Sequence, residues 1–494
     1  MPQNRNESKS LFKAPDTATI FFSMFFAWML AVPFMGQVLN ARMLELQIFT
    51  SQTQTSVTLV AQLSGLVAAG YFVKTSTAVR RMNITTIGAC MLLTLVFLLP
   101  YSFMWVILMI VLPFAGGLVV ACWGYYYQSY STPSQKLQAA ANIIILSNIG
   151  MIFLNVIAVN LSASLSISIS VIMLLWSMVL CIKQKPLGEF NGSKTAENPG
   201  GMKESRQSEI AEAPKTNAQM VTLYRSLGLL YVFIALITID SGLMYQVVTP
   251  AFAHLELLTS IYWAIPYIGA IFILKRLPER VNKSFILYIA VTMIGLAYIL
   301  FYILDNSALS YIVIDTVMLG AFGICDLFWW VILGEMLVFT NRPVKIFGIG
   351  LSANILGLLL GERISIFLHS SSIDRINPTT VAVGIVFISL VVLPVLYNNL
   401  SRLIKNQAFL MGLSRFTADK APDESGKAEI EYMKALDFTG RELEIAELLL
   451  KGRTYKMISQ ELCISENTVK THIKNIYSKL DVNSKTEFMM KITH

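Results

Sequence analysis

Apolar runs of about 20 residues recur along this chain, each long enough to cross a hydrocarbon core of roughly 30 Å as a helix. Six precede the middle of the chain, centred near Phe26, Leu66, Leu93, Leu112, Ile149 and Ile172. Six more follow it, near Val232, Ile265, Thr292, Leu319, Leu358 and Ile388. Composition agrees with spans. Only 14% of the 494 residues are charged while 55% are hydrophobic, against roughly 25% charged in soluble domains. The expected fold is all-α and polytopic.

Polar stretches divide the runs. Residues 183–218, within "KQKPLGEFNGSKTAENPGGMKESRQSEIAEAPKTNAQ", are rich in Gly, Pro, Lys and Glu and read as a linker between a first half, 1–182, and a second half, 219–405. Residues 406–433, which include "TADKAPDESGKAE", read as a flexible tether ahead of a soluble helical domain over 434–494. Lys and Arg cluster after alternate spans, at Lys74, Arg80, Arg81, Lys136, Lys183, Lys275, Arg276, Arg342, Lys345 and Arg402. That bias places both termini in the cytoplasm. The N-terminus lacks the pattern of a removable signal peptide. The five cysteines show no Cys-x-x-Cys pair and no metal-ligand spacing, so neither a structural disulfide nor a metal site is expected. The net charge of +8 does not separate a nucleic-acid binder from a basic membrane protein.

The terminal stretch carries the sharpest pattern. "FTGRELEIAELLLKG" opens with Thr439 and Glu442, a capping box ahead of Ile445, Leu448 and Leu449. "TYKMISQEL" gives a second short helix, and Ser465 is placed to cap a third over "ISENTVKTHIKNIYSKL". In that third helix Val469, Ile473, Ile476 and Leu480 form an apolar stripe, while Asn467, Lys470, Thr471, Lys474 and Ser478 form a polar, basic face. Two short helices joined by a tight turn, the second basic outside, are the parts of a helix-turn-helix.

These residues give a specific resemblance. Phe438, Thr439, Arg441, Glu442 and Glu444, then Leu462, Ile464, Ser465, Thr468, Val469, Lys470 and His472, then Asn475 to Leu480, resemble the LuxR-type helix-turn-helix domain, a four-helix unit. The resemblance implies double-stranded DNA as partner. It implies groove contacts from Lys470, Thr471 and Lys474, with Asn467 and Thr468 near phosphate. It also implies pairing of two copies through the final helix, at Ser484, Thr486 and Phe488. Ten Lys and Arg against eight Asp and Glu leave the domain at +2, so one copy alone binds modestly and a homodimer on a symmetric site compensates.

Six spans, a cytoplasmic linker and six spans resemble the major facilitator superfamily, which implies 12 transmembrane helices in a 6+6 arrangement. "GGLVVACWGYYY" and "GAFGICDLFWW" in the fourth and tenth runs echo each other. The loop "GYFVKTSTAVRR" keeps Gly70, Arg80 and Arg81 of that superfamily's gating motif but carries Lys74 where an acid is usual. Ionisable residues enter the spans only in the second half, at Asp240, Asp315, Asp326, Glu335, Glu362 and Arg363. Trp123, Tyr126, Asp240, Asp326 and Trp330 are the residues expected to line a cavity for a small-molecule ligand of unknown identity. With four histidines and no nucleophile, cofactor or phosphate-loop pattern, the chain does not read as an enzyme. The expectation is a bacterial inner-membrane, one-component transcriptional regulator. The alternative is a major-facilitator transporter with a regulatory DNA-binding tail.

Overall fold

The structure is a computed structural model. It describes residues 16–34, 37–47, 53–128, 133–184, 217–255, 258–259, 262–276, 283–337, 340–370, 377–418, 438–450, 455–462, 464–480, 482 and 487–488. Among these residues there are helices and turns and no strands. Among the described residues, nine helical stretches are long and apolar enough to cross a membrane, with Thr17–Ala31 and Ser56–Phe72 as shorter apolar helices. The chain divides into two units, residues 1–201 with 212–400, and 202–211 with 401–494.

The first unit begins with α1 (Thr17–Ala31), capped by Asp16, whose carboxylate accepts the Thr19 N–H at 2.8 Å. The first apolar run does not stay one helix. It stops before Pro33, which has no N–H to give the helical ladder, and α2 (Gln37–Glu45) follows. Then come α3 (Thr53–Phe72), α4 (Ser76–Thr94), α5 (Phe103–Gln128), α6 (Pro133–Asn160) and α7 (Ala163–Lys183). The second half holds α8 (Asn217–Leu243), α9 (Ala264–Arg276), α10 (Lys283–Ile303), α11 (Ala308–Met336), α12 (Pro343–Ser370) and α13 (Pro378–Ala418). The run near Ile265 yields only the 13 residues of α9, which starts where Pro266 falls in the first turn and needs no helical N–H donor.

Close helix contacts rest on small residues. Gly357 and Gly361 of α12 face α8, where an added Cβ at Gly361 would stand 2.3 Å from the Ile239 carbonyl oxygen and 2.8 Å from Gly242 Cα. Without a hydrophobic drive between helices in lipid, such close backbone approach is what holds them. The two halves join at their basic-loop ends. Gln128 Nε2 of α5 donates to the carbonyls of Leu337 and Thr340 at 2.8 and 2.9 Å, and Lys275 Nζ donates to Asn142 Oδ1 at 2.5 Å.

The expected tether needs correcting at its start. Residues 406–418 belong to α13, whose Gln, Ala, Leu, Met and Arg favour helix and include no proline after Pro394. Residues 419–433 lie outside the described residues, as do 185–216 of the linker.

The second unit contains α14 (Gly440–Leu450), α15 (Tyr455–Glu461) and α16 (Glu466–Lys479). Of the expected fourth helix, only residues 487–488 are described. Phe438, Ile445, Ala446, Leu449, Ile458, Val469, Ile473, Ile476, Leu480 and Phe488 meet in one core.

Candidate nucleic-acid interface

The third helix starts where its sequence says. Ser465, extended at φ −69° and ψ 150°, accepts the Thr468 N–H at 3.0 Å. The turn before it is closed by the Ile464 N–H on the Ser459 carbonyl at 3.0 Å. Arg441 clamps that turn from α14, donating to the Leu462 carbonyl at 2.8 Å and pairing with Glu444 at 2.6 Å.

Glu442 fixes α14 against α16. Its carboxylate accepts the Thr439 N–H at 2.9 Å and Lys479 Nζ at 2.8 Å, while its own N–H donates to Thr439 Oγ1 at 3.2 Å. Burial pushes this carboxyl up, but the bonds from Lys479 and Thr439 outweigh burial and hold it below its ordinary value of 4.5. A depressed carboxyl stabilises the fold above its unfolded value and loses that contribution as pH falls through the folded one. The wild-type domain is therefore expected to melt at lower temperature below about pH 4.5, and Glu442→Gln to cost roughly 1–3 kcal/mol at neutral pH. The variant's melting point should also be flatter with acid. Melts followed by circular dichroism at neutral pH and near pH 4 check both expectations.

With Val469, Ile473 and Ile476 turned into the core, α16 leaves Asn467, Thr468, Lys470, Thr471 and Lys474 exposed. Thr471 Oγ1 donates to the Asn467 carbonyl at 3.0 Å, which spends its hydroxyl on the helix. Thr468 Oγ1 is likewise engaged, 2.7 Å from Ser465 Oγ. Lys470 pairs with Glu466 at 3.5 Å, both side chains about half exposed. Such a pair is worth only about 0.3–0.5 kcal/mol, so an approaching phosphate or base edge displaces Glu466 easily. Asn475 and Ser478 are also exposed on α16. The sequence reading assigned no role to Glu466 or Asn475, although the i, i+4 spacing of Glu466 and Lys470 was legible.

The pairing residues separate. Ser484 and Thr486 lie outside the described residues. Phe488 is fully buried in the domain's own core, its ring 5.9 Å from that of Tyr477. This corrects its expected place at a surface between copies: a side chain with no exposed area has none to offer a second chain.

In the membrane unit, the expected cavity residues fall into two settings. Trp123, Tyr126 and Trp330 share one aromatic cluster with Phe21, Phe22, Phe26 and Phe347. Trp123 stacks on Phe22 at 4.7 Å and Trp330 lies edge-on to Phe347 at 5.3 Å. Trp123 has no exposed surface, so ring packing consumes it. Asp326 is partly covered and accepts the Tyr267 hydroxyl. Asp240 is fully buried, its carboxylate oxygens have no hydrogen-bond partner among the described residues, and its main-chain oxygen accepts Tyr298 Oη at 2.5 Å. Tyr245, 41% exposed and in electrostatic reach of Asp315 and Asp326, joins this second setting. Its position in a short π-helical stretch, Met244–Val248, left no pattern in the sequence.

A capped helix with a dry inner stripe and a polar outer face, set behind a second short helix and a tight turn, defines a helix-turn-helix domain, here carried on a polytopic membrane protein. Residues 437–492 match the family model of bacterial regulatory proteins, luxR family. The chain is 39% identical over 64 residues to the spore germination protein GerE of Bacillus subtilis, covering 13% of this chain and 86% of GerE. Through this domain, the chain belongs to the LuxR family. It is also 39% identical over 74 residues to the transcriptional regulatory protein DegU of Brevibacillus brevis, and 57% identical over 49 to LiaR of Bacillus subtilis. Those matches cover 15% and 10% of this chain, and only 31% of DegU and 23% of LiaR. Solved structures match the membrane region. The human organic anion transporter MFSD10 aligns at TM-score 0.56 and 12% identity, covering 76% of this chain and 97% of that one. The transporter FucP in its outward conformation aligns at 0.53 and 13%, covering 78% and 98%. The membrane region thus has a major-facilitator fold, and the protein is a LuxR-type regulator domain joined to it.

Proposed function

We propose that this protein is a one-component transcriptional regulator whose membrane region senses a small molecule and whose C-terminal domain binds promoter DNA. The observation that carries the reading is the exposed Asn467, Lys470, Thr471 and Lys474 face on a well-cored domain, in one chain with a major-facilitator fold. The membrane region is read as 12 spans arranged 6+6, since each of the apolar runs contains a described helix. It sits in a bacterial inner membrane with both termini cytoplasmic, as the basic loops require. Among the expected cavity residues, Asp326 with Tyr245 and Tyr267 is the ligand-facing set, because Trp123 is consumed by packing. The DNA-bound form is a homodimer, with Ser484 and Thr486 at the pairing surface. Neither half of the reading involves catalysis.

Lys470→Ala or Lys474→Ala is expected to weaken binding to a selected promoter site by roughly 1–3 kcal/mol, about 5- to 150-fold. A gel-shift titration at fixed salt measures it. A domain that enriches no sequence from a random pool overturns the DNA-reader role.

The fold likeness supports a second reading, an active transporter with a regulatory tail. Lys74 in the gating loop weighs against it. Proteoliposomes that bind a ligand without accumulating it agree with sensing, and concentrative uptake agrees with transport.

A further inference from the structure

On the flank of the membrane unit, α3, α5 and α12 enclose a groove of about 460 Å³, within the ~300–1,000 Å³ of ordinary ligand sites. Its walls are apolar. Val60, Ile110 and Phe114 line it and keep 51%, 45% and 37% of their surface exposed, so it opens sideways, toward acyl chains. Ser56, Ser64 and Arg363 join it, and Arg363 is the one charged residue among the described residues of the lining.

That charge is uncompensated. Arg363 is exposed and makes no ion pair with the described residues. The adjacent Glu362 does not supply one: it is buried, and both its carboxylate oxygens lack a partner among the described residues. A guanidinium with no carboxylate partner at the edge of the hydrocarbon attracts an anionic headgroup, by about 1 kcal/mol or about fivefold for one cation.

Depth then selects the kind of anion. α12 starts at the basic-loop end with Pro343, so at 1.5 Å per residue Arg363 stands about 30 Å along it, near the opposite face of the hydrocarbon core. Ser56 lies at that same end, in the first turn of α3, whereas Phe114 is about 16 Å into α5, near mid-membrane. The cation is at the interface and the apolar wall descends from it. A free anion would have no use for that wall, and an uncharged chain none for Arg363.

We propose that the groove seats an anionic phospholipid of the surrounding bilayer, its phosphate on Arg363 and one acyl chain along Val60, Ile110 and Phe114. This goes beyond the sensing site, which lies among the second-half helices. α3 and α5 come from the first half and α12 from the second, so the lipid bridges the halves. Deeper in the same seam, Gly348 already meets the Leu66 carbonyl so closely that a Cβ would stand 2.6 Å from it. The lipid fills the end that this contact leaves open.

The full chain is placed in nanodiscs doped with phosphatidylglycerol or phosphatidylcholine carrying a photoreactive acyl chain, and labelled peptides are mapped. Phosphatidylglycerol is expected to label residues 56–64 and 110–114 about fivefold more than phosphatidylcholine, the preference worth one interfacial cation. Arg363→Gln should bring the two lipids level. Val60→Trp, which fills the groove and leaves Arg363 in place, should remove labelling by both. Equal labelling of the wild type, a preference that survives Arg363→Gln, or displacement by soluble glycerol phosphate alone overturns the proposal. If Arg363→Gln does not run as a single species in size exclusion, the Val60→Trp variant decides. Unchanged labelling in it overturns the proposal.

Discussion

Phe488→Asp is expected to leave the C-terminal domain unfolded, rather than folded and unable to pair. The ring is fully buried in the core with Ile445, Leu449 and Ile476. Removing a buried Phe costs about 3–5 kcal/mol, and an unpaired carboxylate in its place costs more. A domain of about 60 residues holds only roughly 3–9 kcal/mol at 0.05–0.15 kcal/mol per residue. The combined loss is therefore comparable to the whole stability. Circular dichroism of residues 434–494 should show no cooperative melt, and gel shifts no complex at any DNA concentration that binds wild type. A variant that stays helical and melts cooperatively would show that Phe488 is not a core residue. Thr486→Arg is the contrasting change: it should keep the melt and weaken only the two-copy complex on a symmetric site.

Gly361→Val should be as damaging to the membrane unit. The Cβ would stand 2.3 Å from the Ile239 carbonyl oxygen and 2.8 Å from Gly242 Cα, both backbone atoms that cannot rotate aside. Overpacking typically costs about 1–3 kcal/mol when side chains can yield, and here none can. α8 and α12 must separate, which takes Glu362 and Asp240 out of their buried places. Gly384→Val is the control, since nothing lies within 4 Å of a Cβ there. Size exclusion of fluorescently tagged protein, with heating, should lose the Gly361→Val peak well below the temperature that removes wild type and Gly384→Val. Equal stability of the two variants would refute the close helix contact.

α16 was legible because its signals are local. A cap at Ser465, a stripe at Val469, Ile473 and Ile476, and a polar face between them all fall within one stretch of chain, and one helix period relates them. Hydropathy found the apolar runs for the same reason, and each contains a described helix. Where the reading slipped, the deciding force was not local. Phe488 is an apolar residue near the end of the chain, equally suited to a core or to a partner, and only the packing of Tyr477 and the α14 face decided between them. The first apolar run reads as continuous by hydropathy, yet Pro33, with no N–H to donate, ends α1 within it.

By itself the sequence determined the helical class, the apolar runs, the basic-loop bias and which face of α16 is polar and exposed, each a matter of period, cap or composition. Tertiary structure alone decided which apolar side chains are shared and with what. It sent Trp123 and Trp330 into one ring cluster, brought Tyr245 within electrostatic reach of Asp315 and Asp326, and left Arg363 without a carboxylate among the described residues although Glu362 is its neighbour in sequence. Adjacent residues on a helix point about 100° apart, so chain proximity says little about which groups meet. Contacts between distant helices depend on how closely their backbones approach, and that distance is set by glycines whose partners lie elsewhere in the chain.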